Sequence, residues 1–139
     1  MRRRSWLMTA AALAAACRKP AALPLNIFPE SAAGGWRRTD RRQLSASEAP
    51  DPVPRNEIES LLTASYEGPG KLDARLYVLG SGIVGLELSQ RWKPSADTVF
   101  FSRGPYFVVV KWQTAERSAL HAFVREVEKT LADAAPRKG

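Results

Sequence analysis

The sequence of 139 residues contains one cysteine, Cys17, and one histidine, His121. Zinc, copper, haem and iron–sulfur sites are built from thiolate or imidazole ligands, and two such residues do not make a ligand set. A calcium site needs clustered acids, and Glu48 and Asp51 are too sparse to form one. We therefore expect no metal, no cofactor and no disulfide within the chain.

A recognisable catalytic set is also missing. His121 lies beside two arginines at the edge of an apolar helical stripe, with no nucleophile paired to it, which favours a solvated boundary position. Gly80, Gly82 and Gly85 match the Gly-x-Gly-x-x-Gly pattern of dinucleotide-binding proteins. However, phenylalanines lie about 20 residues further on, where that pattern needs an acid. We therefore interpret these glycines as a tight strand-to-helix turn with close packing.

Residues 1–17 have the three parts of a signal peptide. Three arginines follow Met1, an uncharged and alanine-rich stretch runs from Ser5 to Ala16, and small residues precede Cys17. A transmembrane helix needs about 20 apolar residues, and neither this stretch nor any later one is that long. The sequence therefore predicts an exported protein of the cell envelope or periplasm.

Two refinements of the leader stay open. Leu13–Cys17 resembles a bacterial lipoprotein signal, although Ala14 occupies the usual leucine position; lipidation at Cys17 would anchor the protein to the membrane. The alternative is ordinary cleavage after Ala-x-Ala, but the lack of any other cysteine favours lipidation. Arg3–Leu7 resembles a twin-arginine export motif, and a plain basic leader is the alternative.

The net charge of +7 is shared between the leader and scattered residues of the domain. The one local basic cluster, Trp36–Arg42, could meet phosphates or form a solvated edge strand, and we expect the edge strand. Export argues against a nucleic-acid partner. Attraction to anionic lipid headgroups is consistent with a membrane location.

The remaining chain has the length and the composition of one globular domain, with 45% hydrophobic residues. Residues 18–25 are predicted to form a tether, 26–134 a single α+β domain, and 135–139 a disordered tail. Within the domain, the prolines of residues 43–55 predict an extended loop. Asn56 is predicted to cap a short helix, because Ile58, Leu61 and Leu62 follow it at helical spacing.

The rest of the domain is predicted as two similar units, each a strand, a turn, a strand and a helix. Strand 71–79 and helix 82–92 end the first unit. Strands 97–102 and 106–112, followed by helix 115–133, form the second. This order predicts a mostly antiparallel sheet with both helices on one face.

Strand 106–112 is apolar on both sides, which is typical of a strand buried on both faces. Helices on a single face would leave one side for the N-terminal segment (residues 24–60), a homodimer partner or a ligand. We expect the segment to cover it, and keep as a candidate ligand or partner face the set Tyr106, Val108, Val110 and Trp112.

Four stretches carry a resemblance to a known family: Gly34–Trp36, Tyr66–Gly70, Gln90–Lys93 and Gly104–Val110. Together they resemble a family of small exported bacterial proteins of unknown function, often described as lipoproteins and frequent in acidobacteria. The resemblance covers residues 28–132. It implies one α+β domain behind a leader, and no particular activity or binding residue.

Taken together, these features predict a non-catalytic envelope module, tethered through a lipid anchor at Cys17, that binds a protein partner, a second copy or an apolar ligand. The alternative is a small periplasmic hydrolase or isomerase with carboxylates such as Glu87 or Asp97 in a sheet-lined pocket.

Overall fold

The computed structural model describes residues 23–24, 26–93 and 95–134. The predicted signal peptide with Cys17, most of the tether and the predicted tail lie outside these residues. The strands are β1 (Ser31–Ala32), β2 (Trp36–Leu44), β3 (Ile58–Glu67), β4 (Gly70–Leu79), β5 (Thr98–Arg103) and β6 (Tyr106–Ala115), and the helices are α1 (Gly82–Arg91) and α2 (Arg117–Ala134). In the described part of the chain, neither helix combines the length and apolar character needed to cross a membrane.

The six strands form one antiparallel sheet in the order β1-β2-β3-β4-β6-β5. Hairpins with two-residue turns at Gly68–Pro69 and Gly104–Pro105 join β3 to β4 and β5 to β6. Gly104 has a φ of 55°, a conformation that glycine adopts without steric cost. The prediction of a mixed α+β domain around a mostly antiparallel sheet is confirmed.

The helix predicted after Asn56 is wrong, because this segment is strand β3. Its register against β4 pairs Leu61 with Tyr77 and Leu62 with Leu76. Leu61 and Leu62 are both buried, on opposite faces of the sheet. The spacing that resembles a helical stripe is therefore that of a central strand covered on both sides.

The two helices pack on opposite faces, so the prediction that both cover one face is wrong. On the face that we call the α2 face, Phe123 and Val127 of α2 pack in one cluster with Val108. On the α1 face, Val84 and Leu88 of α1 pack in another cluster with Phe107. Because successive side chains of β6 point to opposite faces and both sets are apolar, each face needs its own cover.

Residues 24–60 supply further cover to both faces. Ile27 and Phe28 are buried in the α2-face cluster. Val53, in the proline-rich loop, is buried in the α1-face cluster. The expectation that this segment covers a face left open by the helices is wrong, because α1 packs on one face and α2 on the other, and the segment adds to both layers.

The three glycines after β4 lie at a close strand-to-helix connection, as interpreted from the sequence: Gly80 follows β4, Gly82 begins α1 and Gly85 lies within it. Ser81 caps α1, and its hydroxyl accepts a 3.1 Å hydrogen bond from the backbone N–H of Ile83. A Cβ on Gly82 would lie 3.2 Å from the carbonyl oxygen of Gly104, and one on Gly85 would lie 3.3 Å from the Cβ of Ser102. These glycines let α1 approach the β5–β6 hairpin closely.

Candidate functional site

The α2 face carries a groove of about 460 Å³ between α2 and the strands β5 and β6. We call it the α2 groove. It forms where α2 leaves part of the outer two strands uncovered. Its lining residues are Thr98, Val99, Trp112, Leu120, His121, Val124, Arg125 and Glu128.

The inner wall of the α2 groove is apolar. Val99, Trp112 and Val124 are partly buried hydrophobic residues packed against the core. Leu120, one turn of α2 before Val124, is 8% exposed and belongs to the core itself. Apolar surface that stays partly open in a concave site gains free energy when a ligand covers it, at about 25 cal/mol per Å².

The outer rim of the groove is polar and carries basic groups. His121 and Arg125 are exposed on α2, one helical turn apart. Glu128 lies in an ion pair with Arg103 of β5, with 3.7 Å between its carboxylate oxygen and the guanidinium nitrogen. The guanidinium of Arg125 is therefore the rim group best suited to receive an anionic group from a ligand.

Of the four residues predicted as a ligand or partner face, three are buried in the core and one is accessible. Tyr106, Val108 and Val110 are buried in the α2-face cluster, with 2%, 0% and 0% of their surfaces exposed. Trp112 lies further along β6, is only partly buried and lines the α2 groove. The structure thus leaves Trp112 as the member of this set that a ligand can reach.

His121 is exposed, which confirms the solvated boundary position expected from the sequence. The same placement puts it on the rim of the α2 groove beside Arg125. The sequence did not indicate this groove, because its shape depends on where α2 crosses the sheet. The one available signal was the pair Leu120 and Val124 on the apolar stripe of α2, next to His121.

A second groove, of about 450 Å³, lies on the α1 face between the proline-rich loop and α1. Its central side chain, Trp92, stacks on Phe100 and Phe107, with ring centroids 5.2 and 5.5 Å apart. The indole is thus already engaged in the core of this face. The side chains lining this groove are Pro52, Pro54, Leu88, Arg91, Trp92 and Lys93.

A half-buried polar cluster fixes the proline-rich loop to the sheet. The hydroxyl of Tyr77 donates a 2.5 Å hydrogen bond to Oδ2 of Asp51, and Arg75 contacts Oδ1 at 3.3 Å. Burial, together with the hydrogen bond to Asp51 and its negative charge, raises the pKa of Tyr77 well above its usual value. Tyr77 therefore stays a donor at neutral pH, and we interpret the cluster as a structural clamp.

The two carboxylates considered for catalysis lie in different elements. Glu87 is exposed on α1, which packs on the α1 face. Asp97 precedes β5, and its carboxylate accepts a 3.0 Å hydrogen bond from the hydroxyl of Thr98. Among residues 26–93 and 95–134, no three His, Cys, Asp or Glu side chains are grouped so that they could hold a metal ion.

The basic cluster Trp36–Arg42 forms most of β2, which lies between the two-residue β1 and β3. β1 pairs only with Trp36 and Arg37, so the rest of β2 is an edge, as expected from the sequence. Arg42 pairs with Asp40 at 2.9 Å, and Arg38 donates a 2.8 Å hydrogen bond to the carbonyl of Phe28. A β-bulge interrupts the ladder between Arg38 and Asp40. The guanidinium groups of Arg38 and Arg42 thus bind acceptors of the protein itself.

The resemblance to exported bacterial proteins stays a prediction, as do the signal peptide, lipidation at Cys17 and the location in the cell envelope. No family model, no curated protein and no solved structure matches the chain.

Proposed function

We propose that this protein is an exported, membrane-tethered binding module without catalytic activity, and that the α2 groove holds a small amphipathic anion. The observation that carries the proposal is the position of Trp112, partly buried against an apolar wall and facing a rim that carries Arg125. Aromatic and apolar walls with a few placed polar groups are typical of small-molecule sites.

The apolar wall and the basic rim of the groove favour a ligand that has an apolar part and an anionic group. A hydrocarbon or aromatic part would pack against Val99, Trp112 and Val124 and remove their remaining surface from water. A carboxylate, sulfonate or phosphate would lie at the guanidinium of Arg125. Glu128, which also lines the groove, is ion-paired with Arg103 at 3.7 Å, and this pairing offsets its negative charge.

The signal peptide predicted at residues 1–17 supports the proposed location of the protein at a membrane outside the cytoplasm. A signal peptide at residues 1–17 supports export, and Cys17 with its small preceding residues supports a lipid anchor. A domain held at a membrane meets amphipathic anions at high local concentration, and its net positive charge favours their approach. Location and groove chemistry therefore favour the same class of ligand.

The experiment is a calorimetric titration of the protein, isolated after expression of the full-length gene, with decanoate as the probe. We expect saturable binding that Arg125→Glu weakens about tenfold, because the substitution replaces a charge-assisted contact by a repulsion. Arg117→Glu is the matched control, since Arg117 is exposed at the start of α2 and does not line the groove. Absence of saturation, or equal weakening by both substitutions, would contradict the proposal.

A further inference from the structure

Strand β5 is the open end of the sheet. It pairs with β6 on one side, and no described strand lies on its other side. The backbone N–H of Trp112 donates to the carbonyl of Asp97 at 3.0 Å, so Asp97 and every second residue after it bond to β6. The backbone groups of Thr98, Phe100 and Ser102 therefore point away from the sheet.

One of these outward groups is used locally, since the N–H of Thr98 donates to the carbonyl of Ser95 at 3.1 Å. The N–H and C=O groups of Phe100 and Ser102, and the C=O of Thr98, bond to no other residue in the described ranges 26–93 and 95–134. A half-buried edge strand with a row of unpaired backbone N–H and C=O groups is a template on which another strand can pair.

The two ends of the sheet differ in how well they are protected against pairing with a strand of another chain. At the β1–β2 end, five charged residues and a β-bulge discourage pairing with another chain. Between Thr98 and Ser102, β5 has no charge, no proline and no irregularity in its ladder. Residues 98–102 instead include Val99, Phe100 and Phe101, which favour strand pairing.

We propose that β5 pairs antiparallel with β5 of a second copy of this chain, which continues the sheet across a two-fold axis at Phe100. This interface shares Thr98 and Val99 with the lining of the α2 groove, but dimerisation does not depend on a ligand in the groove. Outward-facing residues must meet each other, so Phe100 pairs with Phe100, and Thr98 with Ser102 of the second copy. About four backbone hydrogen bonds result, because the N–H of Thr98 is already used.

Charge complementarity selects this register. It places Asp97, in the turn just before β5, next to Arg103 of the second copy, twice in the dimer by symmetry. Arg103 is also 3.7 Å from Glu128 of its own chain, so in the dimer its guanidinium would lie between two carboxylates. A shift by two residues in either direction would place Arg103 opposite Ser95 or Val99 instead. In its own chain, Asp97 has no ion pair with any residue that the structure describes.

The same register joins apolar surfaces on both faces. Val99 lies opposite Phe101 of the second copy on the α2 face, where both residues pack against the core cluster. The partner's Phe101 would thus extend the apolar wall of the α2 groove. On the α1 face, the two Phe100 rings, each stacked on a Trp92, would meet at the axis.

The experiment is sedimentation equilibrium on the protein isolated after expression of the full-length gene, at concentrations from about 1 to 100 µM. We expect a monomer–dimer equilibrium that Asp97→Arg or Arg103→Asp weakens at least about tenfold, because each places like charges opposite one another. The double substitution D97R/R103D should restore dimerisation. Arg41→Asp, the same change on β2, should leave it unaltered, and circular dichroism confirms that each variant folds.

Hydrogen exchange gives a second readout that does not need a variant. The amides of Phe100 and Ser102 should become more protected as the protein concentration rises, because they are bonded only in the dimer. A monomer at 100 µM, a dimer insensitive to both single substitutions, or protection of these amides independent of concentration would overturn the proposal.

Discussion

The indole Nε1 of Trp36 donates a 2.9 Å hydrogen bond to the backbone carbonyl of Ala119, 83 residues later in the chain. This bond is buried and joins the start of β2 to the first turn of α2. The ring of Phe123, one turn further along α2, packs edge-on against both Trp36 and Tyr66. The long helix that forms one wall of the α2 groove is therefore positioned from the N-terminal end of the domain.

Replacing Trp36 by phenylalanine removes the indole donor and leaves a void beside Phe123. We expect the substitution to lower the free energy of unfolding by about 2–3 kcal/mol, from the buried carbonyl left without its donor and the lost packing. Denaturant unfolding followed by circular dichroism measures the change. Arg37→Gln, at the next and exposed position, should change stability by less than about 0.5 kcal/mol.

Two neighbouring glycines offer a matched test of the contact between this turn and α2. Gly34 and Gly35 have φ values of 99° and 87°, so alanine is strained at both positions. Only at Gly34 would the new Cβ collide with backbone, 2.6 Å from the carbonyl oxygen of Ala119; at Gly35 its nearest neighbour is a Pro69 side-chain atom at 3.7 Å. We expect Gly34→Ala to cost about 3 kcal/mol and Gly35→Ala about 1 kcal/mol. Equal thermal-melt shifts would contradict this packing.

The buried tyrosines predict a loss of stability at alkaline pH. Burial raises the pKa values of Tyr66, Tyr77 and Tyr106 above their usual range. Their contribution to stability is complete below the unfolded-state pKa of about 10 and is lost as the pH rises further, because the unfolded chain releases these protons first. Unfolding free energies measured between pH 8 and 11.5 should therefore fall steeply above pH 10.

Removing one of these hydroxyls tests which tyrosine contributes. Tyr77→Phe should reduce the slope above pH 10 and cost about 1–2 kcal/mol at neutral pH, because Asp51 loses the donor that holds it. An unchanged slope would show that Tyr77 titrates normally and that the Asp51 clamp is absent. The substitution leaves Tyr66 in place, whose hydroxyl donates to the carbonyl of Pro29 at 2.6 Å.

The proposed anchor predicts a specific N-terminus. Mass spectrometry of the protein isolated from membranes should show Cys17 as the first residue, carrying a diacylglyceryl group. Cys17→Ser should abolish the lipid and release the domain from the membrane fraction. A mature chain with an unmodified Cys17, or one that begins beyond it, would contradict the lipid anchor but remain compatible with export.

Strong local patterns predicted the β5–β6 hairpin and α2 well. Strand 106–112 is a dense run of aromatic and β-branched residues, and Leu120, Phe123 and Val127 repeat at helical spacing. Each pattern lies within a single strand or helix, so the periodicity of the sequence is enough to predict that element. The segment Ile58–Leu62 was wrongly predicted as a helix. A strand that is apolar on both faces lacks the alternation of polar and apolar residues that would distinguish it from a helix.

The side of the sheet that α1 covers, and the α2 groove, could not be predicted because both depend on tertiary geometry. The sequence shows that Val84 and Leu88 are apolar but not which face of β6 they meet. The groove exists because α2 leaves Val99 and Trp112 partly uncovered, which depends on the crossing of helix and sheet. The contact between Asp51 and Tyr77 spans 26 residues, with no local pattern to signal it.

The most direct test of the binding proposal is a ¹H–¹⁵N spectrum of the tryptophan indoles during titration with decanoate. Trp112 lines the α2 groove, whereas the indole of Trp36 is buried and bonded to Ala119. We predict a saturable shift of the Trp112 indole signal and none for Trp36, with assignments from Trp112→Phe and Trp36→Phe. An unmoved Trp112 signal, or equal and unsaturable shifts of both, would contradict the account.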